Sequence, residues 1–246
     1  MTTNSTTALI TGGTSGIGRA AANKLAQLGI HVLIVGRNVE RGDKAVTEIR
    51  AAGGRADFIS YDLRDASSAR EVARKAVELA GHVDILINNA AIYPFGPTHE
   101  MTEEAFDHVF SLNVKAPYFL VAELAPLMAK IGKGAIVNLS TMAADYGAAG
   151  MSLYGSSKAA INLLTKTWVA EYGPSGVRVN AVSPGPTRTE GTDAMGEGLE
   201  QLAAQAPAGR PATADEVAEA IVFLATDRSS FIYGAKLAVD GGRTAV

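Results

Sequence analysis

Short runs of β-branched and aliphatic residues recur along the chain. They lie at 7–10 (TALI), 31–35 (HVLIV), 56–60 (ADFIS), 84–87 (DILI), 135–139 (AIVNL), 177–182 (VRVNAV) and 236–239 (KLAV). Most are apolar at consecutive positions, which is the pattern of strands covered on both faces in a parallel sheet. Longer segments with helical spacing separate them, near 17–28, 39–51, 68–79, 102–130, 153–172 and 214–225. Ser68 with Glu71, and Thr213 with Glu216, have the spacing of capping boxes at helix starts. Pro117 and Pro126 predict that the fourth helical segment is bent or divided. This alternation predicts an α/β fold: a doubly wound parallel sheet of about seven strands, with right-handed crossovers and helices on both faces. No repeat, low-complexity tract or linker divides residues 1–246, so one domain is expected. The least regular stretch, 183–200, follows the sixth strand, where loops at strand carboxyl ends build ligand sites. It predicts a substrate lid near 186–205.

Composition narrows the functional classes. At 246 residues, 47% hydrophobic and 19% charged, the chain can bury a substantial core. Its net charge of −3 gives no electrostatic case for nucleic acid or an acidic membrane surface. No apolar run reaches the ~18 residues of a membrane helix. The first residues lack a signal-peptide pattern, so a cytoplasmic protein is expected. The absence of cysteine excludes disulfides, thiolate nucleophiles and cysteine-ligated metals. His31, His82, His99 and His108 show no ligand spacing, and no metal site is expected.

Chemistry first appears in ALITGGTSGIGRAAANKLAQLG, which runs from the first strand through glycines into a helix. Gly12, Gly16 and Gly18 allow a tight turn and close backbone approach, with Thr14, Ser15 and Ile17 between them. A helix starting there offers free N–H groups and a positive dipole end to a phosphate. A plain strand–helix connection has the same residues, but position on the first strand favours dinucleotide binding. The second strand ends in Gly36 and Arg37, followed by Asn38, with no carboxylate to meet a ribose 2′-hydroxyl. An arginine there suits a 2′-phosphate through charge-assisted hydrogen bonds, so NADP(H) is the expected cofactor. Asp62, with Leu63 beside it, follows the third strand, where it would meet the adenine or serve as a turn residue.

In SLYGSSKAAINLL, Tyr154 and Lys158 stand one helical turn apart, on one face with Cβ atoms roughly 5–6 Å from each other. With TGxxxGxG at Thr11 to Gly18, NNAA at Asn88 to Ala91, Asn113 in LNV, Pro184–Gly185 and VDGG at Val239 to Gly242, this set resembles the short-chain dehydrogenase/reductase family over nearly the whole chain. The resemblance implies a Rossmann fold like that of 3-oxoacyl-carrier-protein reductases, with hydride exchange between NADP(H) and a carbonyl or secondary alcohol. It assigns Tyr154 as general acid, and Lys158 as the cation that holds the nicotinamide ribose and lowers the phenol pKa. Bringing a phenol from ~10 to ~7 takes about 4 kcal/mol. A cation ~4 Å away at an effective dielectric of ~20 supplies about that much. The resemblance has Asn113 anchor a water that relays protons, and Asn89, Ala90 and Ala91 wall the nicotinamide pocket. It places Pro184, Gly185, Thr187 and Thr189 at the carboxamide or phosphate end of the cofactor.

The chain departs from that pattern in places. The family usually has a serine thirteen residues before the tyrosine; here the count reaches Thr141, with Ser140 beside it. Either hydroxyl could polarise the carbonyl, and register favours Thr141. Ala91 stands where glycine is common, and Pro186 and Thr187 replace a more usual apolar pair. Tyr93, Phe95, Tyr146, Met151 and Met195 lie after strand ends and together suggest an apolar substrate pocket. An NADPH-dependent ketone reductase is therefore expected. The alternatives are an NAD-dependent secondary alcohol or sugar dehydrogenase, and a non-catalytic dinucleotide-binding sensor or scaffold. Ile161, Leu164, Trp168 and Val169 spread widely around one helix, and KLAV reads as an edge strand; with the resemblance, these predict a homotetramer.

Overall fold

The computed structural model describes residues 6–246. The first three strands are β1 (Thr7–Thr11), β2 (His31–Gly36) and β3 (Arg55–Ser60), followed by β4 (Ile85–Asn88), β5 (Gly134–Leu139) and β6 (Val177–Pro184). A two-stranded pair, β7 (Thr187–Arg188) with β8 (Ala212–Thr213), stands apart, and β9 (Lys236–Val239) returns to the main sheet. That sheet has seven strands, all parallel, in the order β3-β2-β1-β4-β5-β6-β9. Every predicted strand forms, within two residues at each end, because an unbroken apolar run has no other way to bury both faces.

Helices α1 (Gly16–Gln27), α2 (Val39–Ala51) and α3 (Ala66–Ala80) are followed by α4 (Glu103–Phe110) and α5 (Ala116–Ile131). Then come α6 (Ser152–Tyr172), α7 (Glu197–Ala203) and α8 (Ala214–Ala225). One face of the sheet is covered by α1, α2 and α8, around Ile10, Leu25, Ile34 and Ile221. The other is covered by α3, α5 and α6, around Leu33, Leu86, Leu120 and Trp168.

Some sequence expectations change. The α3 capping box is Asp65 with Ser68, not Ser68 with Glu71: Asp65 Oδ1 accepts from Ser68 N at 2.8 Å, and Ser68 Oγ accepts from Asp65 N at 3.0 Å. Glu71 instead pairs with Arg74. The fourth helical segment is divided by a π turn at Ser111–Lys115, just before Pro117, while Pro126 is carried inside α5. Trp168 and Ile161 are buried within the chain, so neither offers surface to a second copy. On α6 the large exposed apolar side chain is Leu163.

Candidate functional site

The order of connections reverses between β1 and β4, and a crevice opens there at the strand carboxyl ends. Thr11 pins it: its hydroxyl donates to Ile87 O at 3.3 Å and accepts from the N–H groups of Asn89 and Ala90, each at 3.0 Å. Asn89 Nδ2 returns bonds to Thr11 O at 2.9 Å and Gly12 O at 3.1 Å, so β4 holds the glycine-rich turn in place. Gly18 makes this approach possible, because a Cβ there would stand 2.4 Å from Asn89 Nδ2 and 2.5 Å from Gly12 O. Gly16 has φ +53°, a left-handed conformation that suits glycine. Gly18 is thus a packing residue of the turn, and it does not face the cleft.

A cleft of about 480 Å³ runs from this turn across the sheet. Gly12, Thr14, Ser15, Gly16 and Ile17 line its first wall, with Arg37, Asn38, Asp62 and Leu63 beyond β2 and β3. Asn89, Ala90 and Ala91 line it after β4, as do Pro184, Gly185, Thr187 and Thr189 after β6. Thr141, Ser140, Tyr154 and Lys158 form the floor opposite the glycine turn. A dinucleotide fits these residues: glycines that allow close backbone approach, a helix N-terminus that Ser15 does not cap, and guanidinium groups beyond β2.

Sequence reasoning passed over Arg41, which lines the same end as Arg37. A helical repeat would have found it, since Asn38 caps α2 through Arg41 N at 2.8 Å and so places Arg41 in the first turn. Asp62 is engaged by Arg64 at 2.6 Å and stands 4.0 Å from Arg37 Nε.

Tyr154 and Lys158 lie in the first two turns of α6, which a buried polar chain joins to the sheet. Asn88 Nδ2 donates to Asn138 Oδ1 at 2.9 Å, and Asn138 Nδ2 donates to Thr165 Oγ1 at 2.9 Å. Asn113 makes a second tie. Its Oδ1 accepts from Ile92 N at 3.0 Å, and its Nδ2 donates to Ile92 O at 2.8 Å and Ser157 Oγ at 3.1 Å. The Asn113 side chain is therefore spent on positioning, outside the cleft lining. Asn113 lies in the π turn, four residues before Pro117.

The Tyr154 ring is partly exposed, but burial of its hydroxyl pushes the phenol pKa up to about 12, against the opposing pull of a hydrogen bond from Thr141. Burial pushes Lys158 down to about 8, and its ammonium donates to Leu139 O at 2.6 Å. The expected lowering of the phenol by Lys158 is absent in this state: the cation is directed at a backbone carbonyl, and desolvation dominates. Ser140 Oγ is buried with no hydrogen-bond partner among the described residues. Thr141 also caps the turn at Met142–Ala144, accepting from Ala143 N at 3.3 Å.

Above Tyr154 the Tyr93 ring stands edge-on, 5.9 Å between centroids, and its hydroxyl donates to Gly191 O at 2.8 Å. Met151 and Met195 also line the cleft, as expected. Phe95 and Tyr146 do not: Phe95 packs on Gly150 and is 75% exposed, and Tyr146 lies beneath Arg243. The segment after β6 bends back on the glycine turn, where Glu190 Oε2 accepts from Gly16 N at 2.9 Å.

Comparison with known proteins agrees with this geometry. A family model described as enoyl-(acyl carrier protein) reductase matches residues 12–244. An uncharacterized oxidoreductase of Thermotoga maritima is 40% identical, covering 97% of each chain. The 3-oxoacyl-[acyl-carrier-protein] reductase of the same organism is 37% identical over 95% of this chain and 96% of its own. Among solved structures, a short chain dehydrogenase/reductase family protein is 47% identical, with a TM-score of 0.89 and 98% coverage of both chains. A gluconate 5-dehydrogenase from Burkholderia cenocepacia, in complex with NADP and tartrate, is 30% identical, with a TM-score of 0.92 over 98% of this chain and 96% of that one.

Proposed function

The chain belongs to the short-chain dehydrogenase/reductase family of nicotinamide-dinucleotide oxidoreductases, and from that premise we propose that it is an NADPH-dependent ketone reductase. One observation carries the reading: a phenol kept protonated at the cleft floor, hydrogen-bonded to Thr141, one helical turn from a buried lysine and facing a glycine-rich turn. Bound NADP(H) supplies the hydride for the carbonyl carbon, or accepts it in the reverse direction.

The chain's own residues do the rest. Tyr154 gives its proton to the carbonyl oxygen as negative charge develops there, and the Thr141 hydroxyl donates a second hydrogen bond to the same oxygen. Thr141 takes this role on register, thirteen residues before Tyr154, and Ser140 Oγ, buried without a partner among the described residues, is the competing donor. Lys158 remains largely an ammonium at neutral pH and steadies the phenolate left behind. Asn113 holds the Ile92 loop against α6 and, in this reading, anchors the water of the proton relay. The glycine turn holds the pyrophosphate through its N–H groups, with Thr187 and Thr189 on the opposite wall. Arg37 and Arg41 meet the 2′-phosphate, which supports NADP(H) over NAD(H).

A second reading, an NAD-linked alcohol or sugar dehydrogenase, is favoured by one feature. Asp62 lies 4.0 Å from Arg37 Nε and offsets part of its charge. Residues 1–246 are read as one domain whose lid spans 186–205. Exposed Phe231, Tyr233 and Leu237, at or beside edge strand β9, support a homotetramer of the intact chain. No helix among the described residues is long and apolar enough to cross a membrane, which accords with a cytoplasmic enzyme.

A ketone panel assayed with NADPH and NADH tests the function. Turnover is expected with NADPH at higher kcat/KM. Equal values would favour the second reading, and cofactor binding without any turnover would indicate a sensor. Light scattering tests the assembly: a single species near 25.5 kDa would refute the tetramer.

A further inference from the structure

Charge is distributed unevenly around the cleft. Arg37, Arg41 and Asp62 all follow β2 and β3, at the end away from Tyr154. In the half built on β4, β5 and β6, Lys158 is the one charged lining residue among those described, and it is buried and directed at Leu139 O. The walls around Tyr154 are Ile92, Tyr93, Met142, Met151, Met195 and Leu199.

Most hydroxyls on these walls are also committed, the buried Ser140 Oγ being without a partner among the described residues. Tyr93 donates to Gly191 O, Thr187 donates to Gly185 O at 2.9 Å, and Thr192 donates to Thr187 O at 2.8 Å while accepting from Thr189 N. Thr141 and Tyr154 are the groups aimed at a carbonyl. Cations on the neighbouring segments have partners of their own: Arg188 pairs with Glu200, Lys236 with Asp145, and Arg243 stacks on Tyr146. The acidic Glu190 and Asp193 flank the Thr192 segment and would repel an anion.

We propose that the substrate is a neutral, largely apolar ketone or secondary alcohol, with no carboxylate, phosphate or array of hydroxyls near the reacting carbon. This rests on the ketone-reductase reading above and names its substrate class. A carboxylate brought against these walls loses its hydration and gains no cation. A polyol loses several water hydrogen bonds and finds little beyond the pair that meets the carbonyl oxygen and the buried Ser140 Oγ. An alicyclic or alkyl ketone loses nothing and buries apolar surface on the thioethers and the Tyr93 ring.

A matched set tests this: methyl 4-oxocyclohexanecarboxylate, the corresponding free acid, and a keto-sugar, each with NADPH. The ester is expected to exceed the acid in kcat/KM by about 10²-fold or more, with the keto-sugar lower still. Equal values, or preference for the acid or the sugar, would overturn the inference while leaving the reductase reading intact. Calorimetry makes the test independent of turnover, using cyclohexanecarboxamide and cyclohexanecarboxylate with the enzyme–NADP⁺ complex. Tighter binding of the amide supports the inference, and equal or tighter binding of the carboxylate overturns it. Absence of turnover with all three ketones would count against the reductase reading alone. Met195→Lys, which sets a cation at a partly exposed lining position, is expected to narrow the ester-to-acid ratio about tenfold. An unchanged ratio would show that the substrate tail does not lie against this wall, and would also overturn the inference.

Discussion

The half of the cleft built on β1, β2 and β3 handles polarity in the opposite way from the half built on β4, β5 and β6. The first presents the backbone N–H groups of a helix N-terminus, that of Gly16 held by Glu190, and two guanidiniums, Arg37 and Arg41. The second presents thioethers, an aromatic ring and hydroxyls mostly committed to backbone carbonyls, Ser140 Oγ excepted. Charge is placed where a charged ligand has to be held in its ground state. It is withheld where a reaction creates charge for a moment, because a dry wall makes the few remaining dipoles act more strongly. The phenol, which burial keeps protonated, belongs to that second regime.

The largest expected effect separates the halves outright. Tyr154→Phe should lower kcat by ~10³-fold or more, the range of a lost general acid, while NADPH binding by fluorescence titration stays within a factor of about two. Parallel loss of both would place the phenol in cofactor binding and erase the division. Next in size, Thr141→Ala should reduce kcat by ~10²-fold, as for loss of one donor to a developing oxyanion. Ser140→Ala should reduce it far less; the reverse order would transfer the role to Ser140.

On the charged side, Arg37→Asp should change the NADP/NAD ratio of kcat/KM by about 10–100-fold, the worth of one charge-assisted bond of ~1.5–3 kcal/mol. An unchanged ratio would assign the 2′-phosphate to Arg41 alone.

Lys158 offers a test by pH on the cofactor-free protein. Its folded-state pKa of about 8 lies below the ordinary lysine value of 10.5. Below pH 8 both states carry the proton, and the burial penalty is felt in full. As pH rises from about 8 towards 10, the native state releases the proton while the unfolded chain keeps it, so stability rises. Above about 10 Tyr154 opposes this, because its raised pKa makes the native state hold the phenol proton longer. Urea midpoints should therefore climb between pH 8 and 10, and Lys158→Met should flatten the climb. An identical climb in the variant would assign it to other groups.

The smallest effect sits where the halves meet. Glu190, on the segment after β6, occupies Gly16 N–H at the start of α1, where a phosphate would be held. Glu190→Gln should tighten NADPH binding by about 2–5-fold, the scale of a charge at a helix terminus. An unchanged or weaker Kd would show that the carboxylate does not compete with the cofactor.

Local pattern determined much of this molecule. The seven apolar runs could bury both faces only as central strands, so the parallel sheet, its helices and the glycine turn were legible residue by residue. Thr213 with Glu216 was equally legible, because a capping box is complete within four residues. The α3 cap differs from the expected one because Asp65 and Ser68 are both good capping residues, each for a helix starting at its own position, and only the actual first turn decides between them. Arg37 could be read from a strand end, whereas Arg41 lies inside a helical segment, and only the packed chain shows that it lines the cleft. Phe95 and Tyr146 looked like pocket residues because they follow strand ends, yet loop geometry turned them onto Gly150 and Arg243. Spacing placed Tyr154 beside Lys158, but it could not show that the ammonium points at Leu139 O or that burial outweighs the cation. Strand and helix periodicities are short-range consequences of backbone geometry, and a sequence carries them whole. Which hydroxyls are consumed, which cations are paired and which groups are dehydrated depend on neighbours tens of residues distant, and only the packed chain brings those together.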